Sequence, residues 1–288
     1  MKIAVLMGSD SPERAISMKT GKTVEKALLK MSYDVECIEF SDDLGSTIPK
    51  LSNYELVFNA LHGGIGENGT VQGLLECLKI SYTGSGVFAS SVCMNKHFSK
   101  TIVSQMGYKT PDWILLKKGM QIPLLDYFPV IVKPNSQGST VGLTLVENSV
   151  DLEKAVGYAF EYDDEVLLET FISGRELTVS IVGNEILPIV EIIPSNRLYD
   201  YECKYSPGMS HYICAPELPD NLSEEIKETG ENIYNQIGCT NYGRIDFRLN
   251  EDNIPWFLEV NTLPGMTDTS LVPMAAHKIG WSFEFLIE

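Results

Sequence analysis

Between Lys2 and Lys79, short apolar runs alternate with segments of helical spacing, and that alternation limits the folds open to the chain. Residues 2–7 (Lys-Ile-Ala-Val-Leu-Met) form an almost unbroken apolar run that stops at Gly8-Ser9-Asp10. Such a run is what a strand buried on both faces requires. Ser11-Pro12-Glu13-Arg14 then reads as a helix start, because Ser11 can cap and Pro12 fits the first turn, where a missing N–H costs nothing. That helix is expected to reach about Lys30. Strands are predicted over 34–40 and 55–61, and a helix over Thr70–Lys79. The β-α-β-β-α order predicts an open sheet with helices packed on it.

Downstream, the pattern predicts one helix from Phe88 to Met106, stopped by Gly107. A strand over Pro129–Pro134 runs into a turn, Asn135 to Gly142. A helix over Val150–Tyr162 and a strand over Glu165–Phe171 follow. Glu176–Val182 and Glu185–Ile193 flank Gly183-Asn184, a hairpin signal. Pro194–Pro219 lacks periodicity and reads as a long loop, which is commonly a functional one. A helix over Leu222–Ile237, a hairpin of Gly243–Leu249 with Ile254–Val260, and a short C-terminal helix complete the chain. Domain boundaries are expected near Gly84-Ser85-Gly86 and Ser173-Gly174.

Charge narrows the partners. The 288 residues carry 22 Lys+Arg against 39 Asp+Glu, a formal net charge of −17. A nucleic-acid partner would need a basic patch, and Lys117-Lys118 is only a dipeptide. A small anionic substrate stays open, bound by a few placed cations or bridged by metal ions. The apolar run at residues 2–7 is too short for a signal-peptide core, and no run approaches the roughly 20 residues of a membrane span. A cytoplasmic protein is therefore expected. The six cysteines form no C-x-x-C pair and the four histidines show no ligand spacing, which argues against a zinc site or a disulfide framework.

Four constellations carry chemistry. In the last hairpin, side-chain alternation puts Arg244 and Asp246 on one face and Glu259 and Asn261 on one face. A two-residue turn at Asp252-Asn253 would set Asp246 opposite Glu259 and Arg244 opposite Asn261. Facing carboxylates repel. They make sense around a hard cation such as Mg²⁺, although an exposed acidic ribbon has the same pattern. Ile245, Phe247, Leu258 and Val260 are expected to turn to a core. The second constellation is Lys133-Pro-Asn-Ser-Gln-Gly138-Ser139-Thr140-Val-Gly142, which can present backbone N–H groups and a lysine to phosphate, or be a surface turn. It is not a P-loop. The third, His62-Gly63-Gly64-Ile-Gly66-Glu67-Asn68-Gly69, has the G-x-G-x-x-G spacing. Residues 86–95 supply no acid for a ribose, so a dinucleotide reading is poor. The fourth is the tyrosine-rich stretch Tyr199 to Tyr205, with Lys204, which can close over a substrate or simply anchor a surface loop.

Taken in order, these segments resemble a known family. They are Glu13 in Ser-Pro-Glu-Arg-Ala-Ile-Ser, the His62 glycine loop, Tyr82-Thr-Gly-Ser-Gly86, Met94-Asn-Lys96, Lys133-Pro, Glu176-Leu-Thr-Val, Tyr199–Tyr205, Gly243-Arg-Ile-Asp246 and Glu259-Val-Asn-Thr-Leu-Pro-Gly-Met266. Nearly the whole chain is similar to the D-alanine–D-alanine ligase family of ATP-grasp carboxylate–amine ligases. The resemblance implies an α/β chain with ATP-grasp architecture: an N-terminal open-sheet α/β domain (1–84), a central α+β domain (85–172) and a C-terminal α+β domain (173–288) with a lid loop at about 195–212. ATP would lie between the second and third.

The same resemblance implies the site. Lys96 and Lys133 would contact ATP phosphates, joined by Lys204 when its loop closes. Glu169 and the Ile172 backbone would hold the adenine edge, and Glu176 the ribose. Asp246, Glu259 and Asn261 would ligate two Mg²⁺ ions, for which Mn²⁺ can substitute. Glu13 would pair with the first D-alanine ammonium near His62, in a hydrogen-bond network with Ser139 and Tyr205. Arg244 and the Gly265 backbone would stabilise the oxyanion, and Ser270 and Leu271 would receive the second carboxylate. The implied reaction forms an acylphosphate from the first substrate, which the second amine attacks, for peptidoglycan precursor synthesis. The family is usually dimeric. A D-lactate- or D-serine-using relative, and a non-catalytic nucleotide-binding protein on the same fold, are the alternatives. The sequence departs from the family at Met7-Gly8-Ser9-Asp10, where Gly-Gly is usual, and at Thr170, where a lysine is common.

Overall fold

A computed structural model describes all residues of the chain except 10, 42, 197, 200–202, 204, 205 and 207. The N-terminal region is a parallel sheet of β1 (Lys2–Gly8), β2 (Asp34–Phe40), β3 (Leu56–Asn59) and β4 (Ser81–Tyr82) in the order β2-β1-β3-β4. Helix α1 (Arg14–Lys30) connects β1 to β2, and α2 (Leu44–Leu51) and α3 (Thr70–Leu78) follow β2 and β3. The unbroken apolar run of β1 has the predicted cause. Ile3 and Val5 join one apolar cluster with Val24 and Leu28 of α1, while Ala4 and Leu6 join another with Leu51 and Leu75. Both faces are covered, so every second position cannot be polar. The sheet order reverses between β1 and β3, and the loops leaving their C-terminal ends form the crevice where α/β sheets bind ligands. Those two loops carry Glu13 and His62.

The expected single helix over 88–106 is two: α4 (Val87–Met94) and α5 (Lys96–Gln105). Asn95 leaves the helical conformation (φ −88°, ψ 99°), and its side chain accepts a hydrogen bond from the Phe98 N–H at 3.0 Å. Continuous apolar spacing hid the break, because a good N-cap in mid-pattern looks like any polar helix residue. The break makes Lys96 the first residue of α5. Ala89, Cys93 and Val103 of these helices share an apolar cluster with Leu177, Ile245 and Phe257 further along the chain.

The central region is an antiparallel sheet, β5 (Trp113–Lys117), β6 (Val130–Pro134), β7 (Thr144–Val146) and β8 (Glu165–Thr170), in the order β5-β8-β6-β7, with α6 (Leu152–Ala159) packed on it. The last sheet runs β12 (Ser210–Cys214), β11 (Val190–Pro194), β9 (Arg175–Val182), β13 (Tyr242–Leu249), β14 (Pro255–Asn261), with β10 (Glu185–Ile186) paired to β9. Helix α7 (Asp220–Ile237) covers it, and α8 (Leu271–Lys278) and α9 (Phe283–Ile287) return to pack beside α1 and Ile3. The segment read as a loop thus contains a strand, β12, whose Ser-His-Tyr-Ile-Cys sequence mixes polar and apolar residues on both faces and gave no period to read.

The β13–β14 hairpin keeps the expected pairing by an unexpected route. Arg244 faces Asn261 and Asp246 faces Glu259. The strands are joined by residues 250–254 rather than by a two-residue turn, and the register shifts between Asp246 and Phe247, where Phe247 faces Phe257. Leu258 is therefore a bulge residue. The bulge returns Glu259 to its place opposite Asp246. It also corrects the expectation that Leu258 is a core residue: Phe257 and Val260 are buried, and Leu258 lines the cleft beside Glu259. Removal of the Asn95 cap tests the helix break. Asn95→Ala is expected to lower stability by about 1 kcal/mol in urea denaturation.

Candidate active site

Two cavities meet in the middle of the molecule. The first is lined by Lys96, Lys133, Glu169, Ile172, Glu176 and Leu258, the second by Glu13, His62, Asn261, Gly265, Ser270 and Leu271. Gly138, Ser139, Tyr199, Arg244 and Glu259 line both. Apart from Lys204 and Tyr205, which lie outside the described residues, every residue named from the sequence as a site residue lines one or both cavities.

Glu13 ends the turn before α1 and is buried. Ser139 Oγ donates a short hydrogen bond to its Oε1. Two glycines make room for the other oxygen: a Cβ on Gly138 would come within 2.9 Å of Glu13 Oε2, and one on Gly63 within 2.8 Å. Ser139 and Thr140 both hold positive φ, 51° and 59°, a conformation that side chains resist. The loop after β6 spends that strain on bringing Ser139 to a residue 126 positions away. His62 is buried beside α1, with Nε2 3.0 Å from Thr20 Oγ1, and its Nδ1 lies 3.6 Å from Glu67 Oε1. Ser270 is the residue before α8, and Leu271 is the first residue of that helix. Exposed N–H groups at such an end favour an anion.

In the first cavity, Lys133 Nζ lies 2.9 Å from Glu169 Oε1 and Lys100 Nζ 2.7 Å from Glu169 Oε2. Burial pushes the Glu169 carboxyl up, but the two ammonium groups together outweigh it and hold it below the ordinary value. Burial drives Lys100 down to about 8, against the pull of Glu169. Lys100 was missed in the sequence. The available signal was its spacing, four residues after Lys96 on the α5 face that also buries Val103. Glu176 accepts from Arg248 Nη1 at 3.1 Å, and Arg248 Nε donates to the Ile172 carbonyl at 3.1 Å.

Arg244 donates to both oxygens of Asp246 at 2.8 Å, and Thr178 donates to Asp246 Oδ1 at 2.7 Å. Burial works against the Arg244 charge, and Asp246 more than restores it, so the guanidinium stays protonated above its usual range. Lys96 Nζ stands 3.2 Å from Glu259 Oε2 and donates to the Gln137 carbonyl at 2.7 Å. Asn261 Oδ1 accepts from the Leu263 N–H at 2.9 Å. Asp246, Glu259 and Asn261 offer oxygen donors alone, the chemistry a hard divalent cation takes. Among the described residues no three His, Cys, Asp or Glu side chains converge for a metal, so any such set here is two carboxylates and an amide. Arg244 brings cationic charge to Asp246, and Lys96 brings it to Glu259.

An antiparallel central sheet facing a larger one across a lysine- and glutamate-lined cleft defines an ATP-grasp class of nucleotide site. Residues 39–85 match the family described as D-ala D-ala ligase N-terminus, and residues 103–288 the one described as D-ala D-ala ligase C-terminus. The chain belongs to the D-alanine–D-alanine ligase family. It is 43% identical to a D-alanine–D-alanine ligase of Syntrophotalea carbinolica, over 100% of this chain and 94% of that one. It is equally 43% identical to one from Aquifex aeolicus, covering 98% of that protein. A crystal structure of the D-alanine–D-alanine ligase of Bacillus anthracis complexed with ATP superposes with a TM-score of 0.88 at 35% identity, over 100% of this chain and 94% of that one.

The buried Glu169 is a test of the site's electrostatics. Glu169→Gln leaves two buried ammonium groups without their counter-ion and is expected to lower stability by about 3–5 kcal/mol at neutral pH. Because its folded pKa lies below the unfolded value of 4.5, the carboxylate's contribution is complete above about 4.5 and is lost as pH falls further. Urea midpoints measured against pH should show that acid loss in the wild type and not in the variant.

Proposed function

We propose that this chain joins two D-alanine molecules to D-alanyl-D-alanine, converting ATP to ADP and phosphate, as a step in peptidoglycan precursor synthesis. The observation that carries the reading is the meeting of the two cavities at Arg244 and Glu259, so that a phosphate held in one adjoins a substrate held in the other. The second cavity suits a zwitterion. Glu13 takes the ammonium of the first D-alanine, kept in place by Ser139 and, in this reading, Tyr205. Its carboxylate attacks the γ-phosphorus and leaves an acylphosphate. The second D-alanine lays its carboxylate on Ser270 and the Leu271 N–H, and its amine attacks the acyl carbonyl, from which phosphate departs.

Both steps gather negative charge on oxygen. Arg244, adjoining both cavities, and the Gly265 N–H oppose that charge, and pre-placed cations need no reorganisation as it develops. Lys96, Lys133 and Lys204 hold the phosphates, Glu169 and the Ile172 backbone the adenine, and Glu176 the ribose. Asp246, Glu259 and Asn261 would hold Mg²⁺ or Mn²⁺, two ions in this reading, supplying charge neutralisation of the phosphates. Lys96 and Arg244, which pair with Glu259 and Asp246, would then be available to substrate oxygens. The protein works in the cytoplasm as a homodimer of three-lobed subunits, with lobes of about 1–84, 85–172 and 173–288. Among the described residues no helix is long and apolar enough to cross a membrane.

Phosphate release from Mg·ATP tests the reading, with the product identified by mass. Release that requires D-alanine and yields the dipeptide is expected. Release only with D-serine or D-lactate as second substrate would move the chain to a sister specificity, and no release with bound ATP would overturn the enzymatic reading. Glu259→Gln is expected to lower the rate at least about a hundred-fold while leaving the thermal transition in place. A near-wild-type rate would overturn the metal assignment.

A further inference from the structure

Lys100 is among the largest fully buried side chains of the described residues, and nothing in the reaction above uses it. Its ammonium touches Glu169 Oε2 at 2.7 Å and donates to Thr110 Oγ1 at 2.8 Å. Thr110 in turn donates to the Phe257 carbonyl at 2.9 Å. The ring of Trp113, the cross-strand partner of Glu169, lies beneath the ammonium at 5.0 Å. Lys100 is therefore held on three sides and has nowhere to move.

We propose that Lys100 is a specificity-determining positioning residue, which keeps Glu169 an anion and thereby restricts the nucleotide to a purine with a hydrogen-bond donor at its 6-position. The proposal rests on the reading that Glu169 faces the base. Burying a lysine is expensive and one cation already neutralises Glu169, because Lys133 stands at its other oxygen. The second cation matters when nucleotide arrives. Lys133 is the lysine assigned to phosphate, and as it turns toward that charge Glu169 loses a partner. Lys100 remains. Among the described residues, the titratable groups acting on Glu169 are Lys100 from α5 and Lys133 from β6, and Lys133 and Asp112 act on Lys100. An ionised carboxylate only accepts hydrogen bonds. It pairs with the 6-amino group of adenine and faces the 6-oxo group of hypoxanthine as acceptor against acceptor. A protonated Glu169 would donate to that oxygen and lose the distinction. Sites built to hydrogen-bond one partner reject the mismatched analogue strongly, since a buried polar group is left unpaired.

The test compares ATP with inosine triphosphate in the wild type and in Lys100→Met, at pH about 6.5 and about 8.5. The substitution leaves a neutral Lys133–Glu169 pair, with a side chain of similar length. The wild type is expected to prefer ATP equally at both pH values. In the variant the preference is expected to fall at least about ten-fold at the lower pH and to recover at the higher, through the nucleotide KM, with the D-alanine KM unchanged. A wild type that does not distinguish the two nucleotides would refute the reading of Glu169 itself. A wild type that distinguishes them beside a variant with the same preference at both pH values would refute the proposal alone and leave Lys100 a structural ion. If Lys100→Met does not fold, Thr110→Val, which frees one anchor of the ammonium, must shift the preference in the same direction. An unchanged preference there overturns the proposal.

Discussion

Asp246 and Glu259 face each other across two antiparallel strands, and like charges in that position repel. The cleft is arranged around that repulsion. Arg244 sits two residues before Asp246 on the same face and binds both of its oxygens, while Thr178 on the next strand adds a third donor. Lys96 comes to Glu259 from a different element. Its arrival depends on the helix break at Asn95, and the pairing of the carboxylates depends on the bulge at Leu258. A polar ribbon of this kind persists only where its charges are matched by protein cations or by ions drawn from solution.

The first sheet contributes through topology. Its order reverses between β1 and β3, so the loops leaving those strands converge, and Glu13 and His62 reach one cavity without being close in sequence. Their joint is made of small contacts: Ser11 Oγ donates to the His62 carbonyl at 2.7 Å, and Gly63 leaves space for the Glu13 carboxylate. The central sheet contributes the strained loop that carries Ser139 to Glu13. Three sheets thus each bring polar side chains to one cavity: Glu13 and His62 from the first, Ser139 from the central one and Arg244 from the last.

Much of this was legible in the sequence because the informative signals were periodic. The unbroken run of β1 declared a strand covered on both sides, and the alternation of Arg244, Asp246, Glu259 and Asn261 declared a polar face. What stayed hidden was aperiodic. A two-residue turn was expected at Asp252-Asn253; the longer connection and the bulge cancel in register, so the pairing survived although the turn did not. The break at Asn95 interrupts an apolar pattern without altering it. The strand β12 alternates in burial, but its Ser-His-Tyr-Ile-Cys sequence puts an apolar residue on the more exposed face and a polar one on the other, so the alternation does not show as a hydrophobic period. Lys100 is the clearest omission: a lysine on a helix reads as solvent-facing, and only tertiary structure brings it to Glu169.

The central claim is that the first substrate's carboxylate becomes an acylphosphate. D-alanine labelled with ¹⁸O in its carboxylate, turned over with unlabelled ATP, tests this directly. An attacking carboxylate oxygen ends in the released phosphate, so one labelled oxygen per phosphate is predicted. Phosphate free of label, formed alongside the dipeptide, would contradict the account.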